Sequence, residues 1–341
     1  MRRTMKNATA IVIALGLLTV LTLSGCDDFG IEFGGFVEHP QAPVQQAAPP
    51  PEPKEQSQAE QTPPPVVVIP EIFVPTASGT SVEENDEAVI DYSNQQDGYI
   101  MAQYVEQTDL KIKLLITVPD ETLYTYELHP GSGFEVFPLS GGDGTYEIGV
   151  WKQIEGSRYS MVLMTKIDVA LVNEFAPFLC PNQYVNFTRD SAVVRKAAEL
   201  TAGDDGVMEK VENIYLYVIN NVVYDTEMAE MVMSGGQSGY LPDVDRILER
   251  GKGICFDYAA LMASMLRSQS IPTKLVIGYT EEVRHAWISV YSEQDGWLDN
   301  IIFFDGSTWK LVDPTFAATG SGSELSEYIG DGSNYIESSF H

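Results

Sequence analysis

The chain has 341 residues, 44% of them hydrophobic and 20% charged, enough apolar material for more than one folded core. Acidic residues outnumber basic ones 49 to 20, for a net charge of −29. That balance excludes a nucleic-acid partner, which needs concentrated Lys and Arg, and it excludes docking on anionic lipid through a basic face.

Arg2, Arg3 and Lys6 precede an apolar run at 8–23, which is followed directly by Leu23-Ser24-Gly25-Cys26. The run is short for a membrane span and ends in small residues, the pattern of an export signal. Leu-Ser-Gly-Cys resembles a bacterial lipobox. That resemblance implies a signal peptide at 1–25 and a lipid on Cys26, which would hold the protein at the extracytoplasmic face of the cell membrane.

Residues 26–80 read as a tether. Eleven of the nineteen prolines lie from Pro40 to Pro75, interleaved with Gln, Ala and Glu. Such a segment cannot bury enough apolar surface to offset its ordering entropy, and it acts as a semi-stiff spacer reaching up to ~100 Å.

Between 81 and 175 the pattern changes to short alternating runs. Segments 110–118, 122–128, 145–151 and 159–165 read as strands separated by turn signals such as Pro119-Asp120, Pro130-Gly131 and Gly141-Gly142-Asp143-Gly144. This spacing predicts a small β-sandwich without a catalytic constellation. His129, beside Pro130, reads as a turn residue, because one histidine makes no site.

Residues 176–325 read as a second domain, with 326–341 as a C-terminal tail. Segment 190–200 carries Val193, Val194, Ala197 and Leu200 on one stripe and predicts an amphipathic helix. Val207, Val211, Ile214 and Val218 predict another. Residues 226–239, with Gly235, Gly236 and Gly239, read as a loop, and 243–250 as a short helix ended by Gly251.

Gly251-Lys252-Gly253-Ile254-Cys255 then makes a tight turn. Beyond it Tyr258, Leu261, Met262, Met265 and Leu266 recur at helical spacing, with small residues between them. Cys255 is thereby placed at the amino-terminal end of a helix packed on several sides. Unpaired N–H groups there favour a thiolate and can stabilise an oxyanion. Only three cysteines exist, Cys26, Cys180 and Cys255. A Cys180–Cys255 bridge would consume this thiol and leave a binding module.

Segment 274–280 reads as a strand. In 285–291, Ala286, Ile288 and Val290 share a core-facing side, while His285, Trp287, Ser289 and Tyr291 share the more polar one. The other histidines lie in the tether, in the β region and at the last residue, so a Cys–His pair in this domain has one candidate. Segments 301–304 and 308–313 read as a hairpin with an Asp305-Gly306 turn. Asp313 closes its second strand, with Asp295, Asp299 and Asp305 as rivals in turn or loop contexts. A carboxylate beside His285 would hold the imidazole tautomer and stabilise its cation.

Gly-Lys-Gly-Ile-Cys-Phe-Asp-Tyr-Ala, then His-Ala-Trp, then Trp309-Lys310-Leu311-Val312-Asp313-Pro314-Thr315 resembles the core of the transglutaminase-like superfamily, over about 190–320. The resemblance implies an α+β, papain-like fold with a helix-borne cysteine and an antiparallel sheet bearing His and Asp, here preceded by the β-sandwich. Carried over, Cys255 is the nucleophile, His285 the acid/base and Asp313 the orienting group, and an upstream aromatic completes the oxyanion site. Tyr224 is the preferred match for that position and Tyr240 the rival. Animal members bind calcium; no Asp/Asn-rich loop of calcium spacing occurs here, so neither a metal nor another cofactor is expected.

Three readings follow. The first is a cysteine enzyme that forms a thioester on peptide or protein substrates of the cell envelope, resolved by water (peptidase) or by an amine (transamidase). The second is a catalytically silent binding or scaffold module. The third is a structural envelope protein that adheres through its β region.

Overall fold

The computed structural model describes residues 66–236, 239–280, 283–299, 303–304, 309–310, 315 and 335–341. All of them fall within one compact unit, Thr62–His341. The chain is α+β, as the sequence predicts.

The amino-terminal strands are β1 (Val82–Glu84), β2 (Ala88–Asp91), β3 (Tyr99–Tyr104), β4 (Ile112–Thr117), β5 (Leu123–Leu128), β6 (Glu135–Pro138), β7 (Gly144–Glu155) and β8 (Arg158–Val169). They form two four-stranded antiparallel sheets, ordered β1-β2-β3-β6 and β5-β4-β7-β8. Alternation explains the layering. In β4 Ile112, Leu114 and Ile116 are buried, and in β7 Tyr146, Ile148 and Val150 are, while their neighbours face outward. Both sheets contribute to a single apolar cluster, the core of a sandwich. β7 outruns its predicted strand because its far end, around Lys152 and Gln153, is polar and loses the alternating signal, with bulges there in its pairing to β8; β8 continues through Lys166–Val169, where Ile167 and Val169 are buried. His129 does sit in a turn, with Nδ1 2.9 Å from the Glu135 carboxylate.

The second half contains α1 (Ala192–Leu200), α2 (Val207–Asn221), β9 (Val223–Tyr224), α3 (Thr226–Met233), α4 (Val244–Arg250), β10 (Lys252–Gly253) and α5 (Cys255–Ser268). The sheet strands follow: β11 (Thr273–Thr280), β12 (Val283–Ser292), β13 (Gly296–Leu298), β14 (Phe303–Phe304), β15 (Trp309–Lys310) and β16 (Tyr335–Phe340). α5 lies against α1, α2 and α4 on one side and β11 and β12 on the other. Every residue from Asp257 to Ser268 is buried, which is why small side chains recur along it. The antiparallel sheet runs β13-β12-β11-β16.

Three segments depart from the sequence reading. Residues 226–233, expected in a loop, form α3: the Asp225 carboxylate accepts the Met228 N–H at 3.0 Å. Only Ala229 of that helix is buried, so no apolar stripe announced it. At the end of the predicted tether, Ile72 is buried as part of the same apolar cluster as the helical core. The last residues, expected in a tail, form β16, an edge strand on β11.

β16 is followed by His341, which is buried. Its Nδ1 lies 2.8 Å from the Tyr126 hydroxyl and its Nε2 2.7 Å from Ser339 Oγ. The rings of Tyr124, Tyr126 and Tyr184 surround it. Burial, with Arg267 and Arg284 nearby, lowers the imidazole from 6.5 to about 3. The folded protein therefore holds it neutral, while the unfolded chain protonates it below about 6.5. Its contribution to stability is fully present above that pH. It is lost as pH falls toward 3, at about 1.4 kcal/mol per pH unit. His341→Gln is expected to flatten the stability–pH slope between pH 6 and pH 4 by about one proton, read from urea midpoints. Identical slopes for the two proteins would refute this.

Candidate active site

The turn before Cys255 is built from close approaches. Gly251 ends α4 in the left-handed region at φ 59°. Lys252 and Gly253 then pair in parallel with Val223 and Tyr224. A side chain at Gly253 would put its Cβ 2.6 Å from Cβ of Asp257, so the turn needs glycine there. Cys255 follows as the first residue of α5, half-buried and free.

Asp257 organises the helix start. Its Oδ2 accepts the Ile254 N–H at 2.8 Å, its Oδ1 accepts the Tyr240 hydroxyl at 2.6 Å, and its own N–H donates to the Ile254 carbonyl at 2.9 Å. Two first-turn donors are thus occupied. Among the described residues, the N–H groups of Cys255 and Phe256 are left without a backbone or side-chain acceptor, pointing out of the helix start. Burial pushes the Asp257 carboxyl up, opposed by the hydroxyl and N–H it accepts. Burial, then the bond to Asp257, pushes the Tyr240 phenol up.

Cys180 is not bridged to Cys255. Its thiol is buried, lies 3.2 Å from the Pro181 carbonyl, and is pushed up to about 12 by burial. The nucleophile candidate is therefore not consumed in a disulfide.

His285 reaches the same end of the molecule by topology. α5 runs from Cys255 to Ser268, a short turn follows, and β11 runs back along it. The amino terminus of α5 is thereby level with the end of β11 and the beginning of β12. His285 stands there, opposite Gly278. As alternation predicts, Ala286, Ile288 and Val290 face the helical core. The other face, read from the sequence as the more polar one, is covered too: His285, Trp287 and Ser289 are buried. The His285 ring stacks on Trp287, with centroids 6.1 Å apart and planes at 22°. Tyr335 of β16 stands edge-on to both, at 6.4 and 5.1 Å. Gly278 makes room for this cluster: a Cβ there would lie 2.6 Å from Trp287 and 2.1 Å from the Ile336 carbonyl.

Tyr335 is the site neighbour that sequence reasoning missed. Its one local signal was a β-prone Tyr335-Ile336 pair in a stretch read as tail. Tyr224 lies across from Gly253, two positions before Cys255, and is partly buried against the helical core. Its rival Tyr240 has its hydroxyl committed to Asp257. Of the rival acids, Asp295 caps the turn after β12 through Ser292 Oγ, and Asp299 is exposed just beyond β13. β14 and β15 pair as the predicted hairpin, Phe304 opposite Trp309. Asp313, Asp305 and the lipidation candidate Cys26 lie outside the described residues. Among the described residues no three His, Cys, Asp or Glu side chains converge as metal ligands.

Residues 194–300 match the model of the transglutaminase-like superfamily. The match begins within α1 and ends just past β13, so it takes in Cys255 and His285 and stops short of Asp313. The uncharacterized protein YebA of Bacillus subtilis (strain 168) is 30% identical over 122 residues, covering 30% of this chain and 16% of YebA. The chain thus spans about a sixth of the length of that curated relative. Among solved structures, a candidate cysteine protease from Cytophaga hutchinsonii is 16% identical at a TM-score of 0.35, covering 70% of this chain and 73% of its own. A crystal structure of a TGase is 19% identical at a TM-score of 0.29, covering 56% and 50%.

Proposed function

We propose that the transglutaminase-like segment is a cysteine-dependent acyl-transfer enzyme that cleaves or exchanges amide bonds of peptides or proteins in the cell envelope. The observation that carries this reading is the start of α5. A free thiol sits where two N–H donors remain unpaired, at the end of the helix–sheet layer that also holds His285. In this reading Cys255 Sγ adds to the amide carbonyl carbon, and the oxyanion is met by the N–H groups of Cys255 and Phe256. Tyr224 complements them. The C–N bond then breaks, His285 delivers its proton to the leaving amine, and a thioester remains on Cys255. Asp313 orients His285. Water resolves the thioester to an acid, or a second amine resolves it to a new amide. The lipid on Cys26 and the Pro-rich tether carry the enzyme at the outer face of the membrane, within reach of wall-associated substrates.

The test is mass spectrometry of envelope peptides and surface proteins incubated with wild type and with Cys255→Ser. New termini in the wild-type digest alone establish hydrolysis, and new cross-links or amine exchange establish transamidation. Indistinguishable product profiles would refute the enzyme and leave the silent binding module.

A further inference from the structure

The residue before the thiol is of an unusual type for its position. Ile254 is the N-cap of α5, extended at φ −97° and ψ 177°, and it is buried. Ser, Thr, Asp and Asn are favoured at an N-cap because their side-chain oxygen accepts an N–H of the first turn. Isoleucine has no acceptor and is among the disfavoured residues there. α3 and α4 show what a side-chain cap does in the same domain: Asp225 accepts the Met228 N–H at 3.0 Å, and Asp243 the Arg246 N–H at 3.1 Å.

At α5 the polar work falls to Asp257 instead. Its carboxylate is buried and accepts the N–H of Ile254 itself at 2.8 Å, while its second oxygen is taken by the Tyr240 hydroxyl at 2.6 Å. The Ile254 carbonyl in turn accepts the N–H groups of Asp257 and Tyr258 at 2.9 and 3.0 Å. The turn is therefore held at Ile254, Asp257 and Tyr258, and the two donors between them, on Cys255 and Phe256, are not drawn into it. The side chain that would ordinarily claim one of those donors is aliphatic.

We infer that Ile254 is a positioning residue of the acyl-transfer site: an N-cap without an acceptor, which keeps the Phe256 N–H open for the oxyanion while Asp257 and Tyr240 hold the turn in its stead. The inference rests on the acyl-transfer reading and adds a residue to it. An oxygen on the side chain at 254 would lie within reach of the first-turn N–H groups at all times. The donor would then have to leave that bond as the oxyanion forms, rather than standing ready for it. Isoleucine gives up the stability of a capped helix start and leaves the donor preorganised.

Ile254→Thr is compared with Ile254→Val, two side chains of nearly the same shape that differ by the hydroxyl. Two probes are used on the full chain, with Cys255→Ser as the background. With p-nitrophenyl acetate, Sγ of the thiolate bonds to the carbonyl carbon and an electron pair moves onto the oxygen. That pair returns as the bond to p-nitrophenolate breaks, and an acetyl thioester remains. With iodoacetamide, Sγ displaces iodide at a saturated carbon and no oxyanion forms. Ile254→Thr is expected to acylate about 10- to 100-fold more slowly than Ile254→Val, because one oxyanion donor is claimed. Its alkylation rate should stay within about 3-fold of that of Ile254→Val, and its melting temperature should be no lower, as a newly formed cap requires. Ile254→Ser against Ile254→Ala repeats the comparison with the same hydroxyl on a smaller side chain, and decides it should Ile254→Thr not fold. Equal acylation within each pair would overturn the role of Ile254, as would equal slowing of acylation and alkylation, which marks a lost thiolate rather than a lost donor. A wild type that releases p-nitrophenolate no faster than Cys255→Ser is a separate outcome: it sinks the acyl-transfer reading, and the role of Ile254 with it.

Discussion

With His285 replaced by Ala, Cys255 is expected to react with iodoacetamide near neutral pH about 10- to 30-fold more slowly than in the wild type, and amide turnover is expected to fall by about 10² to 10⁴. The two magnitudes differ for a physical reason. A thiol with the ordinary value near 8.5 is only a few per cent ionised at pH 7. Pairing it with an imidazolium therefore raises the thiolate population about 30-fold at most, and the lower basicity of a paired thiolate offsets part of that gain. Turnover loses this and also the proton donor to the leaving amine. Cys255→Ser is expected to abolish both, with the label located by peptide mapping. Cys180 serves as the internal control, because its buried, protonated thiol should stay unlabelled while the fold is intact. Equal alkylation rates for wild type and His285→Ala would remove the thiolate–imidazolium pair.

The largest expected effect on stability belongs to Arg267, at the far end of α5. Its guanidinium is buried and donates to three carbonyls: Nη1 to Cys180 at 2.8 Å, Nε and Nη2 to Thr273 at 2.9 and 2.7 Å, and Nη2 to His341 at 2.5 Å. These oxygens belong to the segment after the sandwich, to the beginning of β11 and to the residue after β16. Arg267→Ala removes this donor from the Cys180 and Thr273 carbonyls in a dry interior, takes one of two donors from the His341 oxygen, which also accepts the Leu275 N–H at 2.9 Å, and leaves a hole. The cost is expected to be about 3–5 kcal/mol, or roughly 10 °C in melting temperature. Arg267→Lys restores part of the bonding and should fall between the two. Cys180, whose carbonyl Arg267 holds, should become accessible to thiol reagents in the same order. A melting temperature for Arg267→Ala within about 2 °C of wild type would refute this role. Should that variant not fold, Arg267→Lys alone decides through its melting temperature and Cys180 labelling.

The legibility of the fold followed the kind of information each segment carries. β4 and β12 were readable because one face of each packs on a core, so apolar residues recur with a period of two. α5 was readable as a multiply packed helix because small residues alternate with large ones along it. α3 was not, since a helix that buries one residue leaves no stripe to read. β16 was not, because an edge strand near the chain's end has a short and half-polar pattern, and nothing local says which distant strand it joins.

For the candidate site the division is similar. Cys255 at a helix start and His285 on a strand could be read from short-range pattern, because two glycines before a helical run and strict alternation are local signals. That α5 and β11 run antiparallel, and so bring these two residues to one end, depends on a four-residue turn and on packing across the layer. The aromatic neighbour Tyr335 arrives from 50 residues beyond His285 in sequence, through β16. The carboxylate of the helix start, Asp257, was visible as a letter in the motif. Its bond to Tyr240 and the crowding that demands Gly253 are long-range and steric facts.

The sequence by itself determined which residues are candidates for the chemistry and on which local elements they stand, because side-chain type and helical or strand period are properties of neighbours in the chain. Only the tertiary structure decided that Cys180 is buried and unbridged to Cys255, and that both faces of the β12 strand are covered. Those outcomes depend on contacts between segments far apart in sequence, and local pattern carries no record of which distant surface will fill a given space.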